Sequence, residues 1–179
     1  MKRIYENYGL LVTVASAVVA LDQWTKWIVR DNLPFSASWL PSALDWLRPY
    51  ARIVHWQNSG AAFGMFQNGS MVFTALAFLV IGAIIYYFPQ TDQRDWTLRL
   101  AMSMQLGGAL GNLLDRILRD GRVTDFISVG AFPVFNLADA SITVGTIILL
   151  LGVYMQERAL KKEAAGIGAI QQPGEAKRE

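Results

Sequence analysis

The sequence predicts an all-α integral membrane protein with four transmembrane helices. Three observations predict it. Apolar residues make up 53% of the chain. Charged residues are only 17%, where a soluble domain carries about a quarter. The charges also collect in short stretches between long apolar runs. With 179 residues and no break in composition, a single domain is expected. The formal charge of +2 is too small and too dispersed to call for a nucleic-acid partner.

A spanning helix needs roughly 20 mostly apolar residues. The first such segment runs from about Tyr8 to Ile28. Lys2, Arg3, the apolar stretch and Ala15-Ser16-Ala17 also fit a secretory signal peptide. The apolar run continues past those small residues, so retention as a span is expected. The stretch 30–69 is too polar to span and is broken by Pro34, Pro41 and Pro49. Trp39 and Trp46 are placed for a headgroup interface, Ser42 to Leu47 suits a short amphipathic turn, and Ala51 to Gln57 alternates loosely as a strand would. Asn58 to Gly64 reads as a loop.

The second span, Met71 to Phe88, is free of charge and stops at Pro89. The third runs from about Thr97 to Leu118 and the fourth from about Phe135 to Tyr154. From about Ala164 the chain is rich in Gly, Gln and charge without a period, which predicts a disordered tail. The expected organisation is one membrane-embedded domain over 1–163, with an insertion at about 30–69, and a cytoplasmic tail over 164–179. Basic residues toward the C-terminal end (Arg158, Lys161, Lys162, Lys177, Arg178) favour cytoplasmic termini. Lys161 and Lys162 read as interfacial anchors, Met102 and Met104 as core-filling residues, and His55 as surface or interface packing.

A charge at the centre of a membrane helix costs about 2.5–3.5 kcal/mol, yet polar groups recur here on shared helix faces. Asp22, Thr25 and Lys26 lie one turn apart; Asn112, Asp115 and Arg116 share a face; Asn136 and Asp139 are three apart. Each has a bland reading. Asp22 with Lys26 makes a helix-stabilising ion pair, Asp115 and Arg116 mark a helix end in water, and Asp139 complements a helix dipole. Together they suit a common polar pocket, and Gly107, Gly108 and Gly111 allow close helix approach beside it. The chain has no cysteine and one histidine. Thiolate metal sites, a cysteine nucleophile and a Ser-His-Asp triad with spare partners are therefore excluded or hard to build, and no metal site or cofactor is expected.

Five elements occur in order: Asp22-Gln-Trp-Thr-Lys26, Asn58-Ser-Gly-Ala-Ala-Phe-Gly64, Gly107-Gly-Ala-Leu-Gly-Asn-Leu-Leu-Asp-Arg116, Val123-Thr-Asp-Phe-Ile127 and Phe135-Asn-Leu-Ala-Asp-Ala-Ser-Ile142. As an ordered set they resemble the lipoprotein signal peptidase (signal peptidase II) family, over about Asp22 to Met155. The resemblance implies four transmembrane helices, cytoplasmic termini, a small extracytoplasmic β-cradle and a short interfacial helix. It also implies a bacterial cytoplasmic (inner) membrane location, with the active site near the extracytoplasmic face. The implied activity is removal of the signal peptide from diacylglyceryl-modified prolipoproteins, just before the lipidated cysteine. Carried across, the catalytic pair is Asp125 and Asp139. Asp22, Lys26, Asn58, Gly60, Gly108, Asn112, Asp115, Arg116 and Asn136 become supporting or substrate-binding positions. Partners implied are these prolipoproteins and membrane lipids, around a monomeric enzyme.

Amide hydrolysis by carboxylates needs an activated water. Two carboxylates held close do not both ionise easily, so they share a proton and titrate as a pair. One then takes a proton from water while the other polarises the scissile carbonyl. Asp115 is a second plausible acid, but its charged form is favoured beside Arg116, which suits an orienting role. The alternatives are a small transporter or proton channel, a Ser-Lys peptidase using Lys26 with Ser59 or Ser128, and a structural assembly subunit.

Overall fold

The structure is a computed structural model that describes residues 2–60 and 69–170. Among these residues four helices dominate: α1 (Lys2–Asn32), α2 (Ser70–Tyr87), α3 (Trp96–Leu118) and α4 (Leu137–Ile170). Three strands form one antiparallel sheet in the order β1 (Ser38–Trp39), β2 (Ala51–Asn58) and β3 (Val123–Val129). Among the described residues, three helices are long and apolar enough to cross a membrane: Tyr8–Asn32, Ser70–Gln90 and Leu137–Lys162. α3 has the length but carries more polar residues, and its buried set includes Arg99, Ser103, Asn112 and Asp115.

Local chemistry sets the helix ends. α1 runs past the expected Ile28 to Asn32 and stops just ahead of Pro34, whose ring disfavours helix in the preceding residue. α2 closes in a 3-10 turn, Phe88–Gln90, where Pro89 cannot supply a helical N–H. At the start of α3, Asp95 Oδ1 accepts from Leu98 N at 3.0 Å, a side-chain cap that satisfies one orphan amide. α4 begins after Asn136 and continues well beyond Tyr154 to Ile170. The rest of the expected tail, 171–179, lies outside the described residues, as do positions 61–64 of the Asn58 to Gly64 element.

α3 is the central helix, and small residues let its neighbours approach. A Cβ at Gly108 would stand 2.5 Å from the Ala138 carbonyl oxygen of α4. One at Gly111 would stand 2.7 Å from Asp22 Oδ2 of α1. Toward the opposite end Leu11, Ala15, Ile84, Phe88 and Leu106 form an apolar cluster, so α1 is an integral wall of the bundle. There Arg99 is buried, its guanidinium 4.2 Å above the centroid of the Phe88 ring, and it donates to Thr91 O at 3.3 Å.

The sheet lies across the end where α1 and α3 finish and α4 starts. β2 matches the expected strand. β3, which periodicity did not announce, pairs with it in the register Trp56↔Asp125 and Asn58↔Val123, with an irregularity between Ile53 and Trp56. Ser42–Leu47 forms a 3-10 helix with exposed Trp46. His55, expected at the surface or interface, is instead only 7% exposed. Its Nδ1 lies 2.7 Å from Leu33 O and its ring meets Phe35 edge-on, so it fastens β2 to the segment leaving α1.

Candidate active site

Two elements deliver the acids. Asp125 sits mid-strand on β3, and Asp139 lies in the first turn of α4. Both line one cavity of about 510 Å³, together with Asn58, Gly60, Asn112 and Arg116. Phe73, Phe132, Phe135 and Val144 make its apolar wall.

Asparagine amides connect the acids. Asn136 caps α4 reciprocally with Asp139. The Asp139 N–H donates to Asn136 Oδ1 at 2.9 Å, and the Asn136 N–H donates to Asp139 Oδ2 at 3.2 Å. This is a capping-box arrangement that orients the carboxylate. The two hydrogens of Asn136 Nδ2 go to Asp125 Oδ1 at 2.6 Å and Asn112 Oδ1 at 3.0 Å. Asn112 Nδ2 donates in turn to Asp139 Oδ1 at 2.7 Å. Asn58 Nδ2 reaches the other Asp125 oxygen at 3.2 Å, while Asn58 Oδ1 accepts from Gly60 N at 2.9 Å. Burial, and then the nearby Asp139 carboxylate, push Asp125 up to about 7, against the pull of the Asn136 and Asn58 amides. A carboxyl group poised there both gives and takes a proton near neutrality.

Beneath the acids lies a second polar layer that does not reach the cavity. Lys26, wholly buried, contacts Asp22 Oδ2 at 2.8 Å, Asp115 Oδ2 at 3.4 Å and Asn112 Oδ1 at 3.0 Å. Asp115 is also wholly buried, with Arg30 at 3.7 Å and Arg119 at 3.6 Å. Such surroundings hold the carboxylate fixed between α1 and α3. The three acceptors that engage Lys26 are carboxylate and amide oxygens, not a serine hydroxyl. Gly108 is a contact point between α3 and α4 and does not line the cavity. Arg116 lies over the Phe73 ring at 5.8 Å and faces the cavity.

Sequence reasoning passed over Gln23, whose Nε2 donates to Gly111 O at 3.0 Å and lies 3.2 and 3.3 Å from Asp22 and Asp115. It also passed over Thr124, whose backbone N–H donates to Asp115 Oδ2 at 2.9 Å. Gln23 was visible as an amide beside Asp22 on an apolar helix. A backbone contact such as that of Thr124 leaves no trace in side-chain patterns.

The family described as "Signal peptidase (SPase) II" matches residues 14–155. A lipoprotein signal peptidase of Symbiobacterium thermophilum is 38% identical over 153 residues, 83% of this chain and 97% of its own length. One of Halalkalibacterium halodurans is 36% identical over 154 residues, 84% of this chain and 95% of its own. A solved bacterial membrane enzyme superposes with a TM-score of 0.71 at 30% identity, covering 94% of this chain and 95% of that one. Another gives 0.70 at 31% identity, covering 81% and 92%. With the family matched over most of its length, the chain belongs to the signal peptidase II family.

Proposed function

We propose that this protein is an intramembrane aspartic endopeptidase that removes the signal peptide from diacylglyceryl-modified prolipoproteins, cutting just before the lipidated cysteine. One observation carries the reading: Asp125 and Asp139 line the same cavity and are tied together through Asn136 and Asn112. The relatives' name, lipoprotein signal peptidase, supports the substrate class.

The chemistry follows from one proton shared by two carboxyl groups. The ionised member removes a proton from a water between them, and the water oxygen adds to the scissile carbonyl carbon. The protonated member donates to the carbonyl oxygen, giving a neutral tetrahedral diol. Collapse breaks the C–N bond as a proton passes to the nitrogen, leaving a carboxyl end on the signal peptide and a free amine on the cysteine. The pair then holds one proton again. Asn58 and Arg116 are placed to hydrogen-bond the substrate backbone from the cavity wall. The apolar wall suits the signal helix, while the acyl chains stay in the bilayer.

In this reading α3 is the fourth span, its polar groups turned inward onto the other helices. The termini are cytoplasmic and the sheet end faces outward from a bacterial inner membrane. The embedded domain covers 1–163, followed by the 164–179 tail, and the enzyme works as a monomer among lipids without a cofactor. The test is incubation of purified protein with lipid-modified and unmodified prolipoprotein, with and without chelator. Cleavage of the modified form alone, indifferent to chelator, is expected. Equal cleavage of both forms would reject the substrate, and chelator-sensitive turnover restored by zinc would reject the mechanism.

A further inference from the structure

Each acid has an immediate chain neighbour whose backbone N–H is taken by a buried carboxylate. Next to Asp125, the Thr124 N–H donates to Asp115 Oδ2 at 2.9 Å. Next to Asp139, the Ala138 N–H donates to Asp22 Oδ1 at 2.9 Å. Asp22 and Asp115 belong to different helices, and both are wholly buried. Lys26 stands between them, its ammonium 2.8 Å from Asp22 and 3.4 Å from Asp115. The third acceptor around that ammonium is Asn112 Oδ1, at 3.0 Å, on the amide that holds Asp139. An ammonium has three N–H donors, and three oxygens stand within 3.4 Å of this one. The absent Cβ of Gly111 lets Asp22 stand this close to α3.

We infer that Asp22, Lys26 and Asp115 form one charged strut that sets the separation of Asp125 and Asp139. One end grips the β3 backbone beside the first acid; the other grips the start of α4 beside the second. These three are positioning residues, acting through two backbone amides and never touching substrate. The bland reading, an ion pair that only stabilises a helix, accounts for Asp22 with Lys26. It does not account for both carboxylates spending an oxygen on the residue preceding an acid. The inference rests on the peptidase reading only for its consequence on rate.

The experiment compares Asp22→Ala, Asp22→Asn, Asp115→Ala and the double alanine variant in lipid nanodiscs, by hydrogen exchange and by turnover of a lipid-modified prolipopeptide. Asp115→Ala is expected to speed exchange within 123–129, and Asp22→Ala within 137–141, with the rest of the helices unchanged. Asp22→Asn keeps an oxygen for the Ala138 N–H, so it is expected to restore much of the protection. Each alanine variant is expected to lose about a hundredfold in kcat with KM little changed, the scale of an ångström-sized misplacement. The double variant is expected to fall close to the worse single one, because either loss already frees the pair. Multiplying effects, unmoved amides, or exchange rising in every helix in all variants including Asp22→Asn would overturn the strut. Localised exchange changes in a chain that cleaves nothing would leave the strut standing and sink the peptidase reading.

Discussion

At Asp125 the environment works against the charge. Burial and Asp139 hold its proton on up to about pH 7, while two amides pull the other way. In the folded chain this group keeps its proton to higher pH than in the unfolded chain. Between the ordinary carboxylate range and about 7, folding therefore binds a proton, and stability falls as pH rises through that window. Asp125→Asn removes the titration, so its thermal unfolding temperature, measured against that of the parent chain, should gain steadily from pH 4 to 7 and then level off. In the proposed mechanism catalysis follows the same pair. The parent's kcat/KM is expected to decline above about pH 7, as the shared proton is lost. Asp125→Asn and Asp139→Asn should each abolish cleavage while the protein still accumulates in the membrane. Substantial residual turnover in either would reject the dyad.

Among the elements, α3 shows how little space the fold leaves. A Cβ at Gly108 meets the Ala138 carbonyl oxygen at 2.5 Å, whereas Gly9 and Gly82 have open space around theirs. Gly108→Ala should therefore destabilise by about 1–3 kcal/mol, as overpacking does. Gly9→Ala and Gly82→Ala should be neutral or gain up to about 1 kcal/mol, from helix propensity. Thermal unfolding in detergent distinguishes these, and a neutral Gly108→Ala would mean the α3–α4 contact is looser than described. The helices were legible because apolar runs of spanning length bounded by proline are strong signals. β3 was not, because it is buried at Val123, Thr124, Asp125 and Phe126 in succession, which erases the alternation that marks a half-exposed strand. The polar faces on α1, α3 and α4 were readable from spacing. That Asp125 joins Asp139 came from resemblance, since its place depends on a sheet pairing with residues some seventy positions earlier.

For the molecule as a whole, all six tryptophans are exposed, five of them within Trp24 to Trp56 and the sixth, Trp96, at the start of α3. Apolar side chains on α2 and α4 such as Met71, Leu79, Leu150 and Val153 are exposed too, as lipid-facing surfaces require. This puts an aromatic band on the sheet end, where interfacial rings belong. The absence of cysteine makes the proposed orientation directly measurable. Ser42→Cys, on the exposed 3-10 helix, should react with a membrane-impermeant maleimide from outside intact cells. Arg94→Cys, in the turn between α2 and α3, should react only after the membrane is opened. The reverse pattern would invert the proposed topology and place the acids on the cytoplasmic side.

The Asp22–Lys26 pair also bears on how the chain is made. Synthesis delivers α1 first, and its opposite charges, four residues apart, neutralise one another within a single segment. α3 emerges later with Asp115, whose cationic neighbours are Arg119, just past its own end, and Lys26 and Arg30 from α1. In the proposed topology, with α3 as the fourth span, its release into lipid costs least when α1 is already beside it. The order of helices along the gene is then also an order of assembly, with the early segment serving as the docking station for the later one.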